Sequence, residues 1–462
     1  MLVIFLVVAP AVFGDSREIP SDRNKIQLSF APLVAKVAPA VVNIYTRTKV
    51  RQRQATPLFD DPFFRRFFND FGLDFDRPRT RQHNSLGSGV IIEENGLLVT
   101  NKHVIEGADS IKVVLIDRRE FDASVIFVDE KTDIAFLKIN SNKNLFPYLK
   151  LKNSDDLKVG DLVLAIGNPF GVGQTVTSGI ISGLARTIGG RAHYKSFIQT
   201  DAAINPGNSG GALVSIDGFL AGVNTAIYSK SGGSLGIGFA VPSNMIKALM
   251  KGIETGSFAR PWFGVAVQTI TADLANSMDM QQPVGVLVTA VHKSSEAFKE
   301  GIKVGDVVLS INSHKINNPQ DLNYRIATIG VGEAVSVDIL KKGKFKNIKM
   351  KVLLPPEIPL RNVKELTGRH PLAGASVANL SPAIALQNNL DPFLNGVVVI
   401  NVQKRSHSAK FGFKKNDIII GINRVKVFMV DDLINATKMR PEIWRVAITR
   451  NGRSHNLVVR NR

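Results

Sequence analysis

Residues 207–211 read Gly-Asn-Ser-Gly-Gly, and two further motifs precede them: Thr-Asn-Lys-His-Val at 100–104 and Asp-Ile-Ala at 133–135. A serine hydroxyl becomes a useful nucleophile near neutral pH when an imidazole removes its proton, and a carboxylate then orients and stabilises the imidazolium. The motifs supply one candidate for each role, with Ser209 as nucleophile, His103 as base and Asp133 as orienting acid. Together they predict a serine protease.

Glycines flank Ser209 on both sides. Glycine permits tight turns whose backbone N–H groups converge, and such donors stabilise the oxyanion that forms during acyl transfer. We therefore assign the oxyanion hole to the amides of Gly207 and Ser209. The pentapeptide alone is equally well read as an ordinary glycine-rich turn. The presence of all three motifs in order makes that interpretation much weaker.

The order His, Asp, Ser is that of chymotrypsin-like proteases, whereas α/β-hydrolases usually carry Gly-x-Ser-x-Gly and a different order. Between residues 87 and 241, short runs of Val, Ile and Leu alternate with Gly, Asn and Asp turns, a pattern typical of many short strands. The clearest runs are 90–92, 111–116, 134–139, 162–166 and 219–223. The fold class is therefore predicted to be mostly β, with a pair of barrels. An amphipathic helix beginning at Ser243 should close this domain.

From about residue 30 to its end, the chain resembles the HtrA family, in particular its DegP-like (Do) members with two PDZ domains. The resemblance rests on residues 100–104, on the run 197–211 and on Gly-Ile-Gly-Phe-Ala-Val-Pro at 236–242. It implies a chymotrypsin-like double β-barrel protease domain followed by two PDZ domains. It also implies an ATP-independent endopeptidase of the bacterial envelope that degrades misfolded or damaged exported proteins, built as a trimer or a trimer-based cage.

An internal repeat supports the two C-terminal domains, because Gly-Val-Leu-Val-Thr-Ala-Val at 285–291 aligns with Gly-Val-Val-Val-Ile-Asn-Val at 396–402. Pro-x-x-Gly segments open both copies, at 261–264 and 371–374. The predicted organisation is a signal peptide or anchor at 1–14, a protease domain at 15–256 with a long regulatory loop at 47–85, PDZ domains at 257–355 and 370–462, and a linker at 356–369.

PDZ domains bind peptide termini by strand addition, with amides of the opening loop holding the terminal carboxylate. The resemblance assigns this loop to Phe263, Gly264 and Val265 of the first copy. The same residues also fit the start of a strand that points into a core. In the second copy Ala373 replaces a bulky apolar residue, so peptide binding there is left open and a role in assembly is the alternative.

The resemblance implies further roles for individual residues. Ile204 and Ile237 are expected to narrow the specificity pocket towards small aliphatic side chains such as Val or Ala. Arg186 corresponds to the arginine of the family's sensor loop, with a solvated surface arginine as the equal alternative. Phenylalanines of the long loop are expected to meet neighbouring subunits, namely Phe63, Phe64, Phe67 and Phe68.

Composition excludes several classes. The 462 residues include no cysteine, so neither a disulfide framework nor a thiol nucleophile is available. The net charge of +19 is spread along the chain without a nucleic-acid motif, which favours a basic solvated surface, with attraction to anionic membranes as a weaker alternative.

The apolar run at 2–13 suits a signal-peptide core and predicts export to the periplasm, although no basic residues precede it. No metal or organic cofactor is predicted, since no spaced His, Asp and Glu cluster is present.

Two other classes remain open. The chain could act mainly as an ATP-independent chaperone or peptide-binding scaffold with little proteolysis, or as a catalytically dead peptide receptor. The intact set of His103, Asp133 and Ser209 favours the enzyme, because a scaffold has no physical need for it.

Overall fold

The computed structural model describes residues 29–49, 82–141, 145–168, 173–186, 196–227, 233–255, 260–439 and 441–460. The segment 1–14, most of the loop 47–85 with its four phenylalanines, and residues 187–195 of the predicted sensor loop lie outside the described residues. The predicted boundary at 256/257 also lies outside them. No helix among the described residues has the length and apolar character needed to cross a membrane.

Six antiparallel strands form the first closed barrel, in the order β1-β2-β3-β6-β5-β4. They are β1 (Val41–Lys49), β2 (Gln82–Ile91), β3 (Leu97–Asn101), β4 (Ser110–Val114), β5 (Glu120–Asp129) and β6 (Ile134–Ile139). Successive side chains of a strand point to opposite faces. Ala135, Leu137 and Ile139 of β6 therefore fill this barrel. Ile134 and Phe136 instead join a second apolar cluster outside it.

The second closed barrel has the order β10-β11-β12-β9-β8-β7. Its strands are β7 (Leu162–Gly167), β8 (Thr175–Arg186), β9 (Phe197–Thr200), β10 (Ala212–Ser215), β11 (Leu220–Ile227) and β12 (Gly238–Pro242). Leu164, Ile166 and Val214 from this barrel lie in the same cluster as Ile134 and Phe136. The two barrels therefore pack against each other through one shared apolar core. The predicted double-barrel fold is confirmed.

Among the described residues, three α-helices accompany the barrels: α1 (Ala31–Val37), α2 (Lys102–Ile105) and α3 (Ser243–Thr255). The helix predicted from Ser243 is confirmed as α3. Its apolar stripe, which includes Met245, Ile246 and Leu249, packs on the cluster between the barrels.

Two C-terminal sheets follow with the same strand order, as the internal repeat predicts. The first comprises β13 (Val265–Thr269), β14 (Val286–Val291), β15 (Val307–Ile311), β16 (His314–Lys315), β17 (Ala334–Lys341) and β18 (Lys344–Lys351), with α4 (Ala272–Ser277), α5 (Glu296–Lys299) and α6 (Pro319–Thr328). The second comprises β20 (Ala375–Asn379), β21 (Val397–Val402), β22 (Ile418–Ile422), β23 (Val425–Lys426), β24 (Ile443–Arg450) and β25 (Arg453–Arg460), with α7 (Pro382–Gln387), α8 (His407–Lys410) and α9 (Val430–Thr437). The second sheet carries one additional edge strand, β19 (Lys364–Glu365), which pairs with β20.

The first sheet unit docks on the protease barrels through α6. Tyr324 is only 6% exposed and belongs to the apolar cluster between the barrels. Its hydroxyl lies 3.3 Å from the Ser154 Oγ. Beside it, Arg325 Nη1 lies 2.5 Å from Asp155 Oδ1. An aromatic ring and an ion pair therefore hold the two units together.

Burial raises the pKa of Tyr324 to about 12, and the nearby Asp155 carboxylate adds to the effect. The folded pKa of the Tyr324 phenol lies above its ordinary value of 10.0, so the unfolded chain releases this proton at lower pH than the folded chain does. The contribution of the buried phenol to the free energy of unfolding is therefore complete below pH 10 and is lost as pH rises towards about 12. The loss approaches about 3 kcal/mol, since one pKa unit corresponds to about 1.4 kcal/mol.

A Tyr324→Phe variant should be less sensitive to alkaline pH, because it has no phenol to ionise. Urea unfolding of the parent and the variant at pH 8 and pH 11.5 measures the difference. Equal sensitivity of the two proteins would contradict the expectation.

Candidate active site

His103 and Asp133 lie side by side because their strands are neighbours. His103 belongs to α2, directly after β3, and Asp133 directly precedes β6. Strands β3 and β6 pair through Asn101 and Ile134. His103 Nδ1 lies 2.6 Å from Asp133 Oδ2, and the His103 backbone N–H donates to Oδ1 at 3.0 Å. A carboxylate only accepts hydrogen bonds, so Nδ1 carries the proton and Nε2 is left as the basic nitrogen.

Three further donors fix Asp133, whose backbone has the uncommon positive φ of 60°. The Asn101 side chain and the Lys102 N–H each donate to its carbonyl at 3.0 Å. The Thr225 hydroxyl donates to Oδ2 at 3.2 Å, and it comes from β11 of the other barrel. Sequence reasoning missed Thr225 and Asn101. Asn101 stands in the His103 motif and could have been suspected, but nothing in the sequence relates Thr225 to Asp133.

Ser209 lies in a loop of the second barrel that presses against the first. A Cβ on Gly210 would stand 2.1 Å from the Ser88 carbonyl oxygen and 2.3 Å from Thr100 Oγ1. Gly210 also has a φ of 83°, a conformation that favours glycine. The glycine after the serine is thus required by close approach of the first barrel.

Most backbone N–H groups of this loop are paired. Asn208 donates to the Asn205 carbonyl at 2.9 Å, and Gly210 donates to the Asn224 carbonyl at 2.8 Å. Within the described part of the chain, the N–H groups of Gly207 and Ser209 have no acceptor. These are the two donors that the sequence assigned to the oxyanion hole, and both are available for a ligand.

Ser88 joins the loop to the first barrel, and sequence reasoning also missed it. Its side chain is completely buried, and its hydroxyl donates to the Gly207 carbonyl at 2.7 Å. The Asn168 N–H donates to that hydroxyl at 2.9 Å. The Ser88 N–H donates to the Ser209 carbonyl at 2.9 Å. One residue therefore holds the carbonyls at both ends of the tripeptide that carries the two unpaired amides.

The Ser209 hydroxyl and His103 are not hydrogen-bonded to each other in the part of the chain that the structure describes. Catalytic hydrogen bonds are often long in unliganded enzymes and tighten when substrate binds. Asn208 is 1% exposed, and its amide group has no partner among the described side chains and backbone. Digestive serine proteases carry an aspartate here that pairs with a new N-terminus, an ion pair that an amide cannot form.

The predicted specificity residues lie beside β12 but in different cores. Ile204 is 2% exposed and fills the second barrel, where a Cβ on Gly238 would stand 2.7 Å from its Cδ1. Ile237 is half-buried and packs on the cluster between the barrels. Arg186 is exposed at the end of β8, paired with Phe197 of β9.

The predicted carboxylate loop precedes β13. Phe263 is 4% exposed and packs in the core of the first sheet unit, so the interpretation as a core residue also holds. Gly264 has a φ of 78°, and a Cβ there would stand 2.1 Å from Ser295 Cβ. The N–H groups of Phe263 and Gly264 have no acceptor among the described residues, and Val265 begins β13. Two adjacent amides at the start of β13 therefore make no hydrogen bond within the described chain.

Comparison with known proteins defines the class. The model of the trypsin-like peptidase domain matches residues 87–223, and that of the PDZ domain matches 233–352. The probable periplasmic serine protease do/HhoA-like of Haemophilus influenzae is 39% identical, with coverage of 94% of this chain and 92% of the relative. The periplasmic serine endoprotease DegP of Salmonella typhimurium is 37% identical, with coverage of 93% and 91%.

Among solved structures, the HtrA-type protease AlgW with a decapeptide is 44% identical with a TM-score of 0.51, covering 71% of this chain and 99% of that one. The fold and these likenesses define a trypsin-like serine protease with PDZ domains. The chain belongs to the HtrA family and is a DegP/Do-type serine endoprotease.

A Ser88→Ala variant should lower kcat about 10-fold or more with little change in KM, because the Gly207 carbonyl loses its donor and the neighbouring amides lose their fixed direction. Loss of one complete oxyanion donor costs about 100- to 1,000-fold in related chemistry. Steady-state kinetics with a chromogenic peptide measures the change. Ser243→Ala is the matched control, since Ser243 is also completely buried and donates to the Lys152 carbonyl at 2.7 Å. An equal effect of the two substitutions on kcat would contradict the expectation.

Proposed function

We propose that Ser209, His103 and Asp133 are the catalytic residues of this endoprotease and that the amides of Gly207 and Ser209 form its oxyanion hole. The contact of 2.6 Å between His103 Nδ1 and Asp133 Oδ2 carries the proposal, because it orients Nε2 as a base. The two unpaired amides beside Ser209 support it.

The reaction is acyl transfer in two halves. Ser209 Oγ attacks the scissile carbonyl carbon while its proton passes to His103 Nε2. The carbonyl oxygen becomes an oxyanion that accepts from the Gly207 and Ser209 amides. The C–N bond then breaks, and His103 gives its proton to the leaving amine. Water attacks the acyl-enzyme by the same route, releases the new carboxyl terminus and restores Ser209.

A Ser209→Ala variant should lose cleavage of an unfolded, cysteine-free protein by at least about 1,000-fold, because the acyl-enzyme cannot form. The assay contains a metal chelator and no ATP, and gel analysis follows the loss of substrate. Ser243→Ala serves as the control and should retain activity. Undiminished cleavage by the Ser209→Ala variant would show that Ser209 is not the nucleophile.

The same variant separates the enzyme from the chaperone alternative, which no feature of the described residues favours. If the parent cleaves nothing and both proteins suppress client aggregation equally, the chain acts as a scaffold.

The family likeness supports our proposals for specificity and regulation. Ile204 and Ile237 narrow the primary pocket, which then accepts small aliphatic side chains such as Val or Ala. Arg186 corresponds to the arginine of the family's sensor loop. Since Asn208 cannot form the activating ion pair of digestive proteases, activation proceeds by loop rearrangement rather than by pro-peptide cleavage.

The first PDZ domain captures the C-termini of substrates. Among the described residues, strand β13 pairs with β14 alone, so its other edge can accept an added strand. The unpaired amides of Phe263 and Gly264 lie at the start of that edge, where a terminal carboxylate would bind.

Amidation of the C-terminus should weaken the binding of an apolar peptide about 10-fold or more, because the backbone amides then lose a charged acceptor. Fluorescence anisotropy of a labelled peptide with a free or an amidated terminus, titrated with the Ser209→Ala chain, measures the difference. A peptide of the same composition in scrambled order is the control. Equal affinities of the free and amidated peptides would exclude carboxylate recognition.

The likeness also supports a location and an assembly. The relatives are named periplasmic, which supports export to the periplasm with residues 1–14 as signal peptide or anchor. The substrates are unfolded or misfolded exported proteins, and the protease domains assemble as a trimer that enlarges to cages. The domain limits proposed for this chain are those predicted from its sequence, and the net charge of +19 would favour contact with anionic membrane surfaces.

A further inference from the structure

The two PDZ domains differ at the sheet edge where peptides would add. In the first domain, β13 is an edge strand of the described sheet. In the second, the corresponding strand β20 is covered by β19. Pairing is antiparallel, with Lys364 opposite Val377 and Glu365 opposite Ser376. A segment of the chain's own linker thus occupies the position of an added strand.

The hydrogen bonds that this segment makes at the opening loop of the second domain also match those of a bound peptide. The Leu366 N–H donates to the Ala375 carbonyl at 2.9 Å, and the Gly374 N–H donates to the Leu366 carbonyl at 2.7 Å. Gly374 is the counterpart of Gly264, whose N–H has no acceptor among the described residues. The Leu366 carbonyl therefore takes the place that a terminal carboxylate would take.

The side chain of Leu366 completes the match. It is 3% exposed and belongs to the apolar cluster that contains Val377 of β20 and Leu433 of α9. Lys364 and Glu365 are exposed, as the preceding residues of a bound peptide would be. Strand addition provides the backbone bonds and a pocket for the last apolar side chain gives selectivity, which is how PDZ domains recognise peptides.

We propose that residues 364–366 are an internal ligand of the second PDZ domain, with Leu366 in the pocket for the terminal side chain. Peptide capture by the resting chain is then confined to the first domain. Displacement of the segment opens a second site for peptides that end in leucine or a similar aliphatic residue. This inference rests on the peptide site proposed above for the first domain.

A short connection to the second domain lets the internal segment compete effectively with free peptides. Four residues, 367–370, connect Leu366 to the Pro371 that opens the second domain. Short tethers give effective concentrations of about 1 mM or more, so a free peptide at micromolar concentration cannot compete at equal intrinsic affinity. Weakening the internal segment should therefore reveal binding without any change in the pocket walls.

The test counts peptide sites on the full Ser209→Ala chain. A labelled decapeptide that ends in leucine is titrated by calorimetry against this chain and against the same chain carrying Leu366→Ser. We expect one site per chain in the first and two in the second, with both sites lost when the peptide is amidated. Leu360→Ser is the matched control, because Leu360 lies in the same linker, is 76% exposed and should leave one site.

Other outcomes separate this inference from the proposed function. No site in the Ser209→Ala chain and one in its Leu366→Ser derivative would remove the peptide site of the first domain and support the internal ligand. Two sites without the Leu366 substitution, or no gain of a site in a folded Leu366→Ser chain, would overturn the internal ligand. Thermal unfolding checks that the second domain is folded, and Leu366→Ala provides a milder change. If neither variant folds, residues 364–366 are an integral strand and the inference fails.

Discussion

The alignment of the two barrels against each other is the constraint on which the proposed active site depends. His103 and Asp133 belong to the first barrel and Ser209 to the second, so none of the three is useful unless the barrels meet in one alignment. A shared apolar cluster supplies the attraction, since burial of apolar surface is favourable but not directional. The relative orientation of the two barrels is instead fixed by polar contacts across their junction. Ser88 holds the loop that carries Ser209, and the Thr225 hydroxyl of the second barrel donates to Asp133.

Contacts with the PDZ domains converge on the turn that carries Asp133. Asp129 at the start of this turn pairs with Arg260, which precedes strand β13 of the first PDZ domain, and accepts from the Thr132 hydroxyl at 2.5 Å. The Lys131 ammonium donates to the Leu386 carbonyl of the second PDZ domain at 2.8 Å. The Arg260 and Asp129 side chains are only 15% and 14% exposed, so each depends on the other for its charge to be tolerated. The position of the PDZ domains and the geometry of Asp133 are physically linked in this way.

The two PDZ domains show how one topology supports different uses. They share strand order and the positive-φ glycine of the opening loop, at Gly264 and Gly374. What separates them is the chain that precedes each one. The protease helix α3 precedes the first domain, whereas an extended linker precedes the second and pairs with its sheet as β19.

The sequence alone determined the serine protease class, the double-barrel fold and the repeated C-terminal domains. Spaced motifs and strand-like apolar runs are local features of the sequence. The chemistry of a glycine or histidine in such a motif can be inferred without knowing the tertiary structure. Tertiary structure decided the rest. Ser88, Thr225 and Tyr324 lie 121, 16 and 115 residues from Ser209, and no local pattern marks them as neighbours of catalytic or interdomain groups. Likewise, Leu366 reads as an ordinary linker leucine, because only the pairing of β19 with β20 reveals that it fills a pocket. Contacts of this kind depend on how folded units meet, and that geometry is a property of the whole chain.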